Sequence, residues 1–153
     1  MISIVLDGFV LVVLTIWTHA GGIALLGWFL TRTRSSRVQI TYWTATLILH
    51  RMIWLMIVLH VSEITIWALF FWWKGAMPSA REAFYFSGVT YTTVGYGDVV
   101  LATPWRLLAP IEALLGVLMC GLSTGFFLFV VSRINNLRLM EEASIATKQT
   151  TDA

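Results

Sequence analysis

Thr92-Thr93-Val94-Gly95-Tyr96-Gly97-Asp98, TTVGYGD, is the stretch whose reading decides the fold of this chain. Gly95 and Gly97 are separated by one residue. Glycine visits positive φ at little steric cost, where other L-residues meet a clash with their own Cβ. A backbone whose dihedrals alternate in this way can turn successive carbonyl oxygens toward one axis. Thr93 can add a hydroxyl at one end of that row, and Tyr96 can buttress the loop from behind. The plainer reading is a Gly- and Thr-rich turn between two strands. The surroundings of the stretch decide between them.

Those surroundings are apolar. Hydrophobic residues make up 58% of the 153 and charged residues only 12%, against about half and about a quarter in a soluble domain. The apolar residues fall in long runs and not in amphipathic stripes, which marks a single-domain membrane protein. Several of the eight Trp lie near the ends of those runs, as interfacial anchors do. A net charge of +2 is too small to argue for a nucleic-acid partner. The single cysteine, Cys120, excludes an intrachain disulfide and reads as a small packing residue.

Three spans can be marked. The first covers residues 4–30, too long for the apolar stretch of a signal peptide and without its positively charged start. The second helical stretch covers residues 38–73 and would exceed about 50 Å at roughly 1.5 Å per residue, against a hydrocarbon core of roughly 30 Å. Arg51 divides it. Residues 52–73 can cross alone, leaving 38–50, with the Tyr42-Trp43 pair, to lie along or protrude from the cytoplasmic interface. The third span covers residues 107–131, opening near Trp105 and closing before Arg133.

Charge sets the orientation. No Lys or Arg precedes Arg32, whereas Arg32, Arg34 and Arg37 crowd the first connection. The positive-inside bias puts that connection in the cytoplasm, the N-terminus outside and the C-terminus inside. Arg133 and Arg138, after the third span, agree with this.

Between the second and third spans, Ser79-Ala80-Arg81-Glu82 follows Pro78 and has the form of a capping box. It predicts a helix over residues 80–91, too short to cross a bilayer and therefore re-entrant, shielded by protein. Its negative C-terminal end would point at TTVGYGD. Ser87, Thr90 and Thr92 offer polar contacts there, and Phe84, Tyr85 and Phe86 predict an aromatic cuff.

With these pieces placed, residues 78–128 resemble the pore domain of tetrameric potassium channels. The likeness extends back to about Val58, so it covers roughly half the chain. Asp98 and Trp105 keep the spacing found in bacterial members with two transmembrane helices. The resemblance implies an all-α membrane protein with three transmembrane helices, and a re-entrant pore helix and selectivity filter between the second and third. Its parts would be an N-terminal helix with a basic loop over 1–37, a pore domain over 38–133 and a short cytoplasmic tail over 134–153. Thr93, Val94, Gly95, Tyr96 and Gly97 would be the filter. In that family the backbone carbonyls of this loop are established to replace the hydration shell of K+. K+ would sit at Thr93, Val94, Gly95 and Tyr96, with Thr92 and Asp98 supporting the loop. One filter per chain implies a homotetramer in contact with membrane lipids, with K+ as permeant ion, no further cofactor and no enzymatic reaction. The compact length suggests a bacterial inner membrane. There is one departure. Val89 stands where some bacterial relatives place a glutamate beside the filter aspartate, so Asp98 needs another partner, for which Tyr85 is available.

The third span holds Gly116, Gly121 and Gly125, each costing about 1 kcal/mol relative to alanine in a helix interior. Close packing is one reason for them. The resemblance offers another, a gating hinge at Gly116. By helical spacing from a cavity-facing Gly125, Phe129 would face the axis one turn deeper as a hydrophobic constriction. Glu63 and Glu112 fall at filter depth, and His60 and Glu63 share a helix face. The carboxylates can brace the pore helix from behind, sense protons, or, more remotely, take part in a metal site. His19 and Asp7 in the first span can contact neighbouring helices but find no further assignment. No helix carries the regularly spaced Arg or Lys of a voltage sensor, and no GxGxxG or nucleotide domain follows the pore. After Arg138 the polar tail predicts at most a short helical start. Two competing readings, a transporter subunit with filter-like loops and a non-conducting accessory subunit, are disfavoured by the intact motif.

Overall fold

The computed structural model describes residues 2–32 and 42–151. They form four helices: α1 (Ile2–Arg32), α2 (Tyr42–Trp73), α3 (Ala80–Tyr91) and α4 (Leu108–Thr151), the last entered through a 3-10 turn at Trp105–Leu107. No strand occurs among the described residues. The turn-between-strands reading of TTVGYGD is thereby removed. α1, α2 and α4 are each long and apolar enough to cross a membrane, and α3 is not. Arg34 and Arg37 of the basic connection, and residues 38–41 ahead of α2, lie outside the described residues.

Local signals account for the short helix. α2 ends in a Schellman motif, in which Ala76 N donates to Phe71 O at 2.9 Å and Gly75 N to Trp72 O at 3.1 Å. Gly75 supplies the positive φ, 66°, that this ending needs. Ser79 then caps α3, its hydroxyl accepting from Glu82 N at 3.2 Å. The capped helix covers Ala80–Tyr91, the range read from the sequence.

α1 packs against both α2 and α4. Between helices in lipid, association comes from close packing and hydrogen bonds more than from water exclusion. At Gly22 of α1 a Cβ would stand 2.6 Å from the Leu59 side chain, which would have to turn aside for a larger residue. Lower in α1, Thr15 accepts from Trp67 Nε1 at 3.0 Å. Trp67, Phe71, Phe86, Tyr91, Leu108 and Leu115 fill the core that joins α2, α3 and α4. At the other end Leu26, Ala45, Met52, Val130 and Ile134 form a second core.

α2 runs as one helix of 32 residues through Arg51, about 48 Å long, as the single helical stretch read from the sequence. Other expectations change. α4 continues to Thr151 where a frayed tail was expected. Residues 139–151 contain Leu, Met, Glu, Ala, Lys and Gln but no Gly or Pro, and extending a formed helix costs far less than starting one. The cuff divides, because successive helical residues are about 100° apart. Phe86 turns inward onto the Phe71 ring at 5.6 Å, while Phe84 and Tyr85 are exposed. Cys120 is exposed on the isolated chain and fills no core site in it.

Candidate functional site

The segment after α3 is built on that helix's C-terminal carbonyls, which have no partner within the helix. Thr92 caps it, its hydroxyl donating to Gly88 O at 2.6 Å. Thr93 N donates to Thr90 O at 2.9 Å, and Val94 N and Gly95 N share Val89 O at 3.0 and 3.2 Å. φ is +61° at Thr93, +55° at Gly95 and +77° at Gly97, and no other non-glycine among the described residues is positive. The sign therefore alternates along the segment. Glycine takes these angles freely, whereas at β-branched Thr93 the conformation costs about 1 kcal/mol or more, so it persists only because the flanking hydrogen bonds hold it. Among the described residues no hydrogen bond takes a carbonyl oxygen of 93–97. The first three amides are satisfied from behind and the carbonyl oxygens are left free.

Asp98 finds the partner expected of it. The Tyr85 hydroxyl donates to Asp98 Oδ2 at 2.7 Å. That bond holds the Asp98 carboxyl below its ordinary range and pushes the Tyr85 phenol up. Tyr96 is 73% exposed on the isolated chain, so any buttress from its phenol has to meet another subunit. Phe129 is likewise exposed.

Behind Tyr91, the last residue of α3, all four helices meet around one buried carboxylate. Glu63 of α2 accepts from the Tyr91 hydroxyl, and its Oε1 lies 2.8 Å from His19 Nδ1 of α1. His60 Nδ1 is 3.0 Å from the Tyr91 hydroxyl and 3.5 Å from Glu63 Oε2. Ser123 Oγ of α4 is 3.1 Å from His60 Nε2 and 3.5 Å from His19 Nε2. Glu112 is equally buried, yet neither of its oxygens finds a partner. Ser87 of α3 is the polar group that acts on it, and Ser87 Oγ is also buried without a completed bond.

Gly116 of α4 lies directly against α3. A Cβ there would stand 2.0 Å from Tyr91 O, so close packing accounts for this glycine. Gly121 and Gly125 have nothing within 4 Å on the isolated chain. Asp7 also gains an assignment, since Lys74 Nζ contacts both its oxygens at 3.0 and 3.1 Å beside the rings of Phe70, Trp73 and Trp105.

A family model described as an ion channel matches residues 53–133, more than half of the chain. The chain belongs to the ion channel family. The matched stretch takes in α2 from Ile53, all of α3, the 92–98 segment and α4 as far as Arg133, while α1 lies outside it. No curated protein and no solved structure matches the channel. With its three apolar helices, the channel is a membrane protein.

Reading the sequence placed His19 against neighbouring helices without naming its partner, and it missed Tyr91 and Ser123. Tyr91 carried a usable signal, since a phenol ending a helix buried in lipid needs a hydrogen-bond partner. Ser123 carried none.

Proposed function

We propose that the channel is potassium selective, and that four copies surround one pore lined by the carbonyl oxygens of residues 93–97. The observation that carries this reading is the alternation of φ at Thr93, Gly95 and Gly97 within the sequence TVGYG. A single loop can offer a cation only one side of a cage. Four loops around an axis supply rings of oxygens that replace its water. α3 enters the membrane part-way, with the negative end of its dipole toward the ion's path. The N-terminus is outside, the C-terminus is cytoplasmic, and the membrane is a bacterial inner membrane.

Purified channel in liposomes should pass K+ in strong preference to Na+. Gly95→Ala should abolish that preference, because a Cβ opposes the φ of 55° at this position. Selective flux that persists in Gly95→Ala would remove residues 93–97 as the filter. Epitope tags on intact cells test the orientation. A tag before Met1 should be reached from outside, and one after Ala153 only after permeabilisation.

A further inference from the structure

His19, His60 and Glu63 each direct a ligand atom into one small volume, and those atoms lie within 4.8 Å of one another. We propose that these three side chains bind a divalent transition-metal ion of the Zn2+ class, and that the ion ties α1 to α2 directly behind the last residue of α3. The potassium reading is not needed for this, because α1 lies outside the family match and the site lies outside the 92–98 segment.

Charge gives the first reason. Glu63 is completely buried. Its contacts are His19, His60 and Tyr91, and no Lys or Arg side chain pairs with it among the described residues. A carboxylate in such surroundings is costly without a compensating positive charge. A divalent cation supplies one.

Geometry gives the second reason. Both histidines turn Nδ1 toward Glu63, at 2.8 Å for His19 and 3.5 Å for His60. Ligand atoms about 2.1 Å from a tetrahedral Zn2+ would be roughly 3.4 Å apart, and the two separations, to Oε1 for His19 and to Oε2 for His60, lie on either side of that value. The histidines' Nε2 atoms both converge on Ser123 Oγ. A hydroxyl oxygen has two lone pairs and can accept from both Nε2–H groups. A carboxylate only accepts, so without a metal the 2.8 Å contact has His19 Nδ1–H donating to Glu63 Oε1. A bound metal ion takes the place of that proton and leaves both Nε2–H groups to donate to Ser123. A hydrogen-bond acceptor behind each ring is also what metal-bound histidines generally have. The Tyr91 hydroxyl, in contact with Glu63 and His60, stands beside the remaining position. Imidazole nitrogen with carboxylate oxygen suits Zn2+ better than Mg2+ or Ca2+, which take oxygen alone.

The test uses the full-length channel in detergent. Elemental analysis of the purified protein, and Zn2+ titration after treatment with a chelator, should give one ion per chain. X-ray absorption at the zinc edge should show two imidazoles and oxygen in the coordination sphere, a readout that needs no variant. His19→Gln and His60→Gln should each weaken Zn2+ binding by more than Ser123→Ala, which should cost about 10- to 100-fold. His50→Gln removes the third histidine, which is exposed and hydrogen-bonded to Trp54, and should leave binding unchanged. Failure of the wild-type protein to bind one Zn2+ per chain would overturn the proposal. A zinc sphere with fewer than two imidazoles, or binding lost in His50→Gln, would overturn it equally.

Discussion

Glu63 and Glu112 press on the same short helix from different neighbours, and both side chains are fully buried. Glu63 has His19, His60 and Tyr91 around it, whereas Glu112 has no completed hydrogen bond. Burial is therefore a poor guide to what a buried acid contributes. A carboxylate at the centre of a satisfied network cannot be removed without orphaning every partner, while an unpartnered carboxyl leaves nothing behind to orphan. The two sites also differ in reach. The Glu63 network joins α1, α2, α3 and α4, and it does so at Tyr91, two residues before the segment proposed as the filter. Glu112 looks only across the α3–α4 contact, toward Ser87.

The largest effect that would test this contrast is Glu63→Ala. It strands His19, His60 and Tyr91 together, and losing one partner of a buried charged set costs about 3–5 kcal/mol. Thermal unfolding of the detergent-solubilised channel should fall accordingly. Glu63→Gln keeps the size and one acceptor, and should lose roughly half as much. If Ala and Gln at position 63 were equally mild, the network would be ornamental and the contrast with Glu112 would disappear.

Next in size is Gly116→Ala. The added methyl would meet the carbonyl of Tyr91, a backbone atom that cannot rotate away, so α4 has to move off α3. Overpacking of this kind costs about 1–3 kcal/mol. Since Tyr91 precedes the 92–98 segment, conduction should fall with stability. A variant of normal stability but altered open probability would favour the hinge reading of Gly116 over the packing one.

Smaller still is Glu112→Gln. With no hydrogen bond to break, the change should lie within about 1 kcal/mol of wild type, and replacement by Met should be neutral or stabilising. A loss as large as that of Glu63→Ala would mean that Glu112 and Ser87 hold an interaction carried by a bridging group, and the two acids would then be alike.

How much of this was legible in the sequence depends on distance along the chain. α3 and its cap were readable because Ser79 and Glu82 are three residues apart, and capping is a local matter. Tyr85 and Asp98, separated by 13 residues, could be paired because the motif between them limits the geometry. His19 and Glu63 are 44 residues apart and Ser123 and His19 are 104 apart. Nothing local says which turn of α1 faces which turn of α2 or α4. The glycines at those contacts, Gly22 under the Leu59 side chain and Gly116 against the Tyr91 backbone, act by the absence of a Cβ. A hydropathy pattern that is apolar on every face of a helix does not record such contacts. The tail of α4 departs from expectation for a different reason. Its polarity suggests fraying, although those residues are good helix formers attached to a helix already begun.

The smallest effect belongs to a pair outside this buried contrast. Tyr85 and Asp98 are hydrogen-bonded at 2.7 Å but exposed on the isolated chain, so solvent weakens whatever the bond contributes. Asp98 has its pKa lowered from an ordinary value of 3.8, chiefly by that bond. A carboxyl whose pKa is lower in the folded state adds stability that is fully present above its unfolded value and is lost as pH falls through the folded one. The wild-type channel should therefore lose this increment only below about pH 4. Tyr85→Phe should move the Asp98 pKa back up and flatten that part of the stability curve, leaving behaviour at neutral pH nearly unchanged. Carbon-detected NMR of the Asp98 carboxyl in the two proteins reads the shift directly. Identical titration curves would show that the phenol does not hold Asp98 in solution. A large loss of stability at neutral pH in Tyr85→Phe would show that neighbouring subunits bury the pair, and that a contact which looks peripheral on one chain belongs to the pore of the assembled channel.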